Sequence, residues 1–509
     1  MIRTIRNLWR LMRIGLVLAR YDSLILLEMT AVTQGLALPL RLFRRKLPGR
    51  PGERLAVALR ELGPTFIKLG QALSTRPDLV GEEMAADLSE LQDSLPAFAA
   101  AAARQIVETE LDRPISELFQ RFDEMPVAAA SIAQVHRATT IEGEDVAVKV
   151  LRPGVEEAFA RDIELLYWLA EIAEFTQPGL RRLKPVETVR TFEDSVALEM
   201  DLRFEAAASA EMAENFEGDG TFRIPGVDWQ RTARRVLTTQ WVNGIPIGER
   251  DRLIEAGIDL KSVVEIAADA FFNQVFRDGF FHADMHPGNL FVDRDGNVVA
   301  VDFGITGRID HRMRRYLGEM LLSFLTGNYR RVAEVHFEVG FVPPDKSIDA
   351  FTQACRSIAE PIMGRPLNEI SVARLLGQLF EVTEAFSMQT QPELLLLQKS
   401  MLVTEGVGRL LYPEVNMWQL AHPLIEHYMR DILGPEARVR ETVGNVLSSL
   451  ERLPRLIADA ERTGLMAAGG LRLHPDSLKA LGGGRRPMPL GMLLPWILVG
   501  VLLTVLLAR

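Results

Sequence analysis

Asp284, Asn289 and Asp302 fall five and then thirteen residues apart, inside His282-Ala283-Asp284-Met285-His286-Pro287-Gly288-Asn289 and Val301-Asp302-Phe303-Gly304. One carboxylate able to accept a hydroxyl proton, with an amide and a second carboxylate able to share Mg²⁺, is equipment for phosphoryl transfer. That chemistry needs little covalent help. It needs metal and phosphates held in place, which groups on two facing turns can do. Leu290-Phe291-Val292 and Val298-Val299-Ala300-Val301 flank Asp295-Gly296-Asn297, a hairpin pattern that would set Asn289 and Asp302 at its two open ends. Two other readings of these residues stay open. His282, Asp284 and His286 alternate as zinc or di-metal ligands could, although His136, His311, His336, His422, His427 and His474 are scattered. Asp293, Asp295 and Asn297 faintly suggest a calcium loop, but Gly296 precedes Asn297 and no Glu completes it.

A nucleotide side needs a cation and a phosphate loop. Lys149 lies in Val146-Ala147-Val148-Lys149-Val150-Leu151, an apolar strand of the V-A-I-K type. Upstream, Val127-Ala128-Ala129-Ala130-Ser131-Ile132-Ala133-Gln134-Val135 can be laid on G-x-G-x-x-G-x-V, with Ala128, Ala130 and Ala133 at the glycine positions. Glycines let backbone N–H groups approach phosphates and take positive φ. Alanines stiffen such a turn, so a nucleotide would be gripped differently and the loop would close less freely. By itself an alanine-rich stretch reads as helix; Ser131, the β-branched residues and the strand lysine turn the reading toward a loop. With the catalytic-loop and D-F-G spacing, the set matches a protein kinase.

Lys68-Leu69-Gly70-Gln71, within Pro64 to Arg76, and Glu199-Met200-Asp201 followed by Glu205 extend the pattern. With the alanine loop, they make residues 50 to 310 resemble the UbiB family of atypical kinase-like proteins, linked to ubiquinone biosynthesis and including mitochondrial coenzyme Q proteins; beyond 310 the resemblance is looser. It implies an α+β, two-lobed protein-kinase-like fold. It also implies that Lys149 pairs with Glu205, that Asp284 is catalytic, and that Asn289 and Asp302 hold Mg²⁺. Val127 to Val135, with Lys149, would bind ATP or ADP. Lys68 and Gln71 of the K-x-G-Q element would lie in the active site, covering the groove where a protein kinase docks its peptide, and Glu199 and Asp201 of the E-x-D insert, with Lys149 and Glu205, would join Asp284 among the catalytic residues. From the residues alone, Lys68 and Gln71 fit a solvated helix face equally well. The implied function is a membrane-anchored, Mg²⁺-dependent atypical kinase or ATPase supporting ubiquinone biosynthesis, acting on or extracting polyprenyl lipid precursors rather than phosphorylating proteins. The alternative is a nucleotide-binding pseudokinase scaffold for quinone-biosynthesis enzymes. The presence of Lys149, Glu205, Asp284, Asn289 and Asp302 favours catalysis. No flavin fingerprint or iron ligand set supports a hydroxylase.

The elements that must position these groups set the rest of the frame. A chain of 509 residues, 48% apolar and 25% charged, can bury a two-lobed core with room for another module. The expected divisions are a basic helical extension (1–105), an N-lobe with a helical insert (106–242), a C-lobe core (243–340), a helical region (341–475), a linker (476–489) and one transmembrane helix (490–508). Fifty-six residues separate Lys149 from Glu205, and Ala158 to Phe175 reads as a packed helix within that gap. Cys355, the single cysteine, excludes a disulfide framework and suits a reducing compartment.

Residues 1–50 hold ten Arg/Lys against two acids, +8, so the formal −10 of the chain leaves −18 for the rest, and a nucleic-acid partner is not expected. Arg3, Arg6, Arg10 and Arg13 share one helical face, the layout of an interfacial helix on an anionic membrane. A mitochondrial transit peptide competes, but Ser and Thr are scarce, so the bacterial reading is preferred. Residues 23–43 read as a packed helix. Leu490 to Ala508 is nineteen residues without a charge, about 28 Å of helix against a bilayer core of about 30 Å. Lys479, Arg485 and Arg486 then place the body in the cytoplasm, at the bacterial inner membrane, with the mitochondrial inner membrane as the alternative. A buried core helix is the other reading of this segment. Membrane lipids, polyprenyl quinone precursors, partner enzymes of the quinone pathway and a homodimer complete the expected partners.

Overall fold

The computed structural model describes residues 2–24, 47–74, 80–89, 91, 95–176, 184–361, 378, 381–383, 385–388, 392–414 and 423–430. Strands β1 (Phe119–Phe122), β2 (Ala128–Ala129), β3 (Ala133–Thr140), β4 (Asp145–Leu151) and β6 (Val236–Gln240) form an antiparallel sheet ordered β1-β3-β4-β6, with β2 paired to β3. Side chains alternate across a strand. In β4, Val146, Val148 and Val150 therefore enter one core with Ile106 and Val107 of the Ala100–Leu111 helix, while Ala147 and Lys149 face the other way. The long gap before Glu205 holds two helices, Val155–Thr176 and Pro185–Glu199, where one was expected; Phe159 and Ile163 are buried as its periodicity requires. The Leu202–Asn215 helix then brings Glu205 under β4.

Helices Ile2–Arg20, Pro51–Leu62, Pro64–Ser74 and Glu82–Ser89 share a core of Leu11, Leu18, Leu55, Leu59, Ile67 and Leu88 with Leu165 of the Val155–Thr176 helix. The N-terminal helix meets acids that its own sequence does not reveal. Two arginines of its basic face are engaged within the protein: Arg6 Nη2 meets Glu164 Oε1 at 2.7 Å and Arg10 pairs with Asp162, while Arg13 is exposed. Two acids on a neighbouring helix supply the complementary charge, and Trp9, Met12 and Leu16 are left 61%, 53% and 40% exposed.

The second lobe is built around the Leu260–Phe272 helix and the π-helical turn Asn273–Asp278. Strands β5 (Phe222–Arg223), β10 (Val298–Ala300), β9 (Leu290–Val292) and β7 (Ile245–Pro246) lie in the order β5-β10-β9-β7, and β8 (Phe280–His282) pairs with β11 (Thr306–Arg308). Beyond residue 310 the described elements are helical, as expected: His311–Leu325, Tyr329–Val339, Ile348–Ala359 and Pro392–Leu411. The last of these sends Val407 and Leu411 into the same core as Phe271, Phe281, Leu290 and Val298. Cys355 is buried, and burial pushes its thiol up to about 12, which leaves it unreactive at neutral pH. Among the described residues no helix is long and apolar enough to cross a membrane. The expected span 490–508 and its linker lie outside the described residues, as does most of 23–43.

Candidate active site

β9 and β10 form the hairpin that the Asp-Gly turn suggests, with Leu290 opposite Ala300 and Val301 N–H donating to Asn289 O at 2.9 Å. Asn289 and Asp302 consequently leave the open end side by side. Asp293 holds the turn by accepting from Asp295 N, Asn297 N and Asn297 Nδ2 at 2.9, 2.9 and 3.0 Å. Its carboxylate is thus spent on the turn rather than on a calcium ion.

The first of the alternating histidines is likewise structural. His282 is buried; its Nδ1 accepts from Asp284 N–H at 3.1 Å, so its Nε2 carries the proton and donates to Val301 O at 3.1 Å. Burial holds its pKa below the ordinary value, and no ring nitrogen is left for a metal. His286 Nδ1 accepts from Gly288 N–H at 2.9 Å. Among the described residues, no three His, Cys, Asp or Glu side chains converge as a metal set.

Asn289 Nδ2 donates to Asp284 O at 3.0 Å, which ties the amide nitrogen and leaves its oxygen as the donor atom for a cation. Asp302 sits at φ 63°, a left-handed backbone that Asp tolerates better than most residues and that often marks functional turns. An amide oxygen and an ionised carboxylate at adjoining strand ends are hard ligands, and they fit Mg²⁺.

Across the cleft, Lys149 Nζ lies 2.8 and 2.9 Å from the two Glu205 oxygens and 3.0 Å from Asp302 Oδ1. Burial pushes the Glu205 carboxyl up to about 7 against the pull of Lys149. At Asp302 burial acts the same way, but the Lys149 charge and hydrogen bond, with Lys68 nearby, outweigh it and hold the carboxyl well below the usual range. The difference follows from the neighbouring charges: Asp302 feels Lys68 as well as Lys149, whereas the Asp302 carboxylate itself pushes Glu205 up. Burial also works against the Lys149 ammonium, yet its two acidic partners keep it charged far into the alkaline range.

The alanine loop is a strand and a turn, not a helix: Ala128 pairs with Val135, Ala129 with Gln134, and Ala130 N–H donates to Ala133 O at 2.8 Å. Neither Ala128, Ala130 nor Ala133 takes a positive φ, so the turn has no need of glycine. Arg152, missed in the sequence reading, staples it: Nε and Nη2 donate to Ala130 O at 3.0 and 2.8 Å, and Nη1 to Pro96 O at 2.9 Å. The available signal was a lone Arg three residues after the strand lysine.

Gln134 does not join the cleft. It is buried behind the sheet, where its amide holds the backbone of Phe98 and contacts His136. Lys68 Nζ reaches Glu199 Oε2 at 2.7 Å, so the K-x-G-Q and E-x-D elements do meet. Gln71 Oε1 is buried with no hydrogen-bond partner among the described residues. Asp201 instead caps the Leu202–Asn215 helix through Arg203 N and pairs with the Arg203 guanidinium at 2.6 Å.

Asp284 receives a second missed residue. Lys399, on the Pro392–Leu411 helix, places Nζ 3.1 Å from Asp284 Oδ1. The signal was one lysine following the apolar run 394–397.

An antiparallel sheet holding Lys149, a helix bringing Glu205 to it, and a lobe that offers Asp284, Asn289 and Asp302 define a kinase-like protein. Residues 90–336 match the ABC1 atypical kinase-like domain, and 355–416 match the UbiB helical domain. "Probable protein kinase UbiB" of Marinobacter nauticus is 42% identical over 466 residues, covering 89% of this chain and 85% of the relative. The protein of the same name from Azotobacter vinelandii is 41% identical over 467 residues, covering 90% and 86%. Among solved structures, the complex of Rv3197 with erythromycin from Mycobacterium tuberculosis aligns with a TM-score of 0.53 at 25% identity, covering 71% of this chain and 92% of that one. The chain belongs to the UbiB family of ABC1 atypical kinase-like proteins.

Proposed function

We propose that this protein is a Mg²⁺-dependent atypical kinase or ATPase that supports ubiquinone biosynthesis at the bacterial inner membrane, acting on or extracting polyprenyl lipid precursors. The observation that carries the reading is the Lys149–Glu205–Asp302 cluster, which ties strand, helix and D-F-G turn together within 3.0 Å. Such an arrangement is the ordered state of a phosphoryl-transfer cleft. Mg·ATP, when bound, supplies the phosphoryl group and the charge that neutralises it. Asn289 and Asp302 would hold the cation, and Glu205 fixes Lys149 so that its ammonium could meet the phosphates. The backbone of Val127 to Val135 would cover them. Asp284 accepts the proton of the attacking water or hydroxyl.

Lys68 and Glu199 belong to elements outside an ordinary kinase core and are joined at 2.7 Å beside the cleft. That placement supports a small or lipid-like acceptor over a protein one. Membrane anchoring through 490–508 and the ubiquinone connection rest on the hydropathy of the sequence and on family membership.

Nucleotide at about 100 times Kd should stabilise the parent by about 2.7 kcal/mol, because a ligand stabilises the state it binds. Asp302→Asn should lose that Mg·ATP-dependent rise in Tm, whereas Asp284→Asn should keep it and lose turnover. An equal rise in Asp302→Asn sinks the metal assignment. Normal ubiquinone in cells carrying only Asp284→Asn would favour the scaffold reading.

A further inference from the structure

Lys399 lies outside the residues that match the kinase-like domain, yet it reaches the carboxylate at the heart of the catalytic loop. Its helix is firmly seated there. Ser400 and Thr404 are buried, and Val407 and Leu411 pack into the lobe core beside Phe271 and Leu290. Lys399 and Asp284 are 28% and 27% exposed, so the pair sits at the cleft wall rather than on open surface. The other cleft lysines are engaged elsewhere, Lys149 with Glu205 and Asp302, Lys68 with Glu199. Within the catalytic loop itself, His286 Nε2 stands 3.9 Å from Asp284 Oδ2, too far for a hydrogen bond.

We propose that Lys399 is a positioning residue for phosphoryl transfer: from the helical domain it fixes the Asp284 carboxylate toward the acceptor and sets a positive charge beside the oxygen that loses its proton. This rests on the phosphotransferase or ATPase reading above. An Asp with two free rotamers offers its oxygen to the acceptor only part of the time, and a misplacement of about 1 Å can cost on the order of a hundredfold in rate. The helical domain therefore completes the site in cis. Nucleotide binding, which depends on the loop, Lys149 and the metal residues, is separable from turnover, which also depends on how the Pro392–Leu411 helix is seated.

The test uses the full chain and four variants: Lys399→Met, Lys399→Gln, Lys399→Arg and the double variant Lys399→Met/Asp284→Asn, with Asp284→Asn as reference. ATP turnover, KM for Mg·ATP and Tm are measured on each. In Lys399→Met, kcat should fall roughly 10- to 100-fold while KM stays within about twofold, the signature of an interaction used after binding. Lys399→Arg should recover most of the loss, and the double variant should turn over no more slowly than Asp284→Asn alone, because residues acting as a unit are not additive. Should the Met variant fail to fold, Lys399→Gln carries the same expectation. A parent-like kcat in Lys399→Met or Lys399→Gln, an Arg variant as poor as Met, or an additive loss in the double variant overturns the proposal alone. A parent chain that binds Mg·ATP without turning it over overturns both this proposal and the reading it rests on.

Discussion

Lys149→Met strips an ammonium from between two carboxylates while keeping most of the side-chain bulk. In the parent, the Glu205 carboxyl already stands at about 7 rather than 4.5, because burial outweighs the opposing pull of Lys149. Without the ammonium that opposition is gone, Asp302 faces Glu205 unscreened, and the Glu205 pKa rises further. The sign follows from proton linkage. A carboxyl whose folded pKa is above its unfolded value contributes stability that is present below the unfolded pKa and lost as pH climbs through the folded one. In the parent that loss is half complete at about pH 7 and nearly complete by about pH 8; in the variant it continues into the alkaline range. Lys149 itself titrates far higher and adds no slope there. The destabilisation caused by the substitution should therefore widen between about pH 7 and about pH 8.5 by up to 1.36 kcal/mol per pH unit, about 2 kcal/mol in all. For a cooperative unit of 150–250 residues that is roughly 4–8 °C in Tm.

Breaking a buried ion pair outright costs about 3–5 kcal/mol. The total here should be smaller, since Asp302 is 44% exposed and Glu205 can take up a proton. The assay is thermal unfolding by circular dichroism in EDTA without nucleotide, on the parent, Lys149→Met and Lys149→Met/Glu205→Gln. Glutamine cannot titrate, so the double variant should show no widening. An equal loss at both pH values in the single variant, or the same widening in the double, refutes the reasoning.

Asp293→Ala removes the acceptor of three hydrogen bonds in the β9–β10 turn and should lower stability by about 1–3 kcal/mol in a urea melt. Calcium should leave the Tm of the parent unchanged, and a calcium-dependent rise would restore the ion-binding reading of this loop. Gly307→Ala would place a Cβ 2.2 Å from Phe281 Cζ, inside the core that supports His282, and should cost about 1–3 kcal/mol with a parallel loss of turnover. Parent-like Tm and turnover would show that the Phe281 ring can move aside.

The parts of the site that were legible in the sequence are those whose structure is decided locally. The Asp-Gly turn, flanked by short apolar runs, fixed the hairpin and so the neighbourhood of Asn289 and Asp302. Lys149 was found because a strand motif names it, but its partner Glu205, 56 residues away, was reachable only through family resemblance. The alanine loop was ambiguous because alanine favours helix, and pairing with β3 decided the matter. For Gln134 and Asp201 the motif points to the cleft, whereas local rules point elsewhere. Strand alternation sets Gln134 on the face opposite its neighbours Ala133 and Val135, and an Asp immediately before Leu202-Arg203-Phe204-Glu205 is a helix N-cap pattern. For the N-terminal helix the periodicity gave the arginine face, but Glu164 and Asp162, about 150 residues away, determine what that face meets.

Charge balance explains why the cleft needs more than the kinase-like core. Glu199 and Asp284 are partly buried acids, and among the described residues the Lys or Arg that each pairs with lies outside residues 90–336. Glu199 takes Lys68 from the N-terminal extension, and Asp284 takes Lys399 from the helical domain. A carboxylate withdrawn from water without a partner is costly, so each acid makes the neighbouring module part of the folded site rather than an appendage. The same pairs tie the Pro64–Ser74 and Pro392–Leu411 helices to the site. Each added module is thus linked to an acid of the cleft: replacing Lys68 or Lys399 would strip Glu199 or Asp284 of the cation that lies against it.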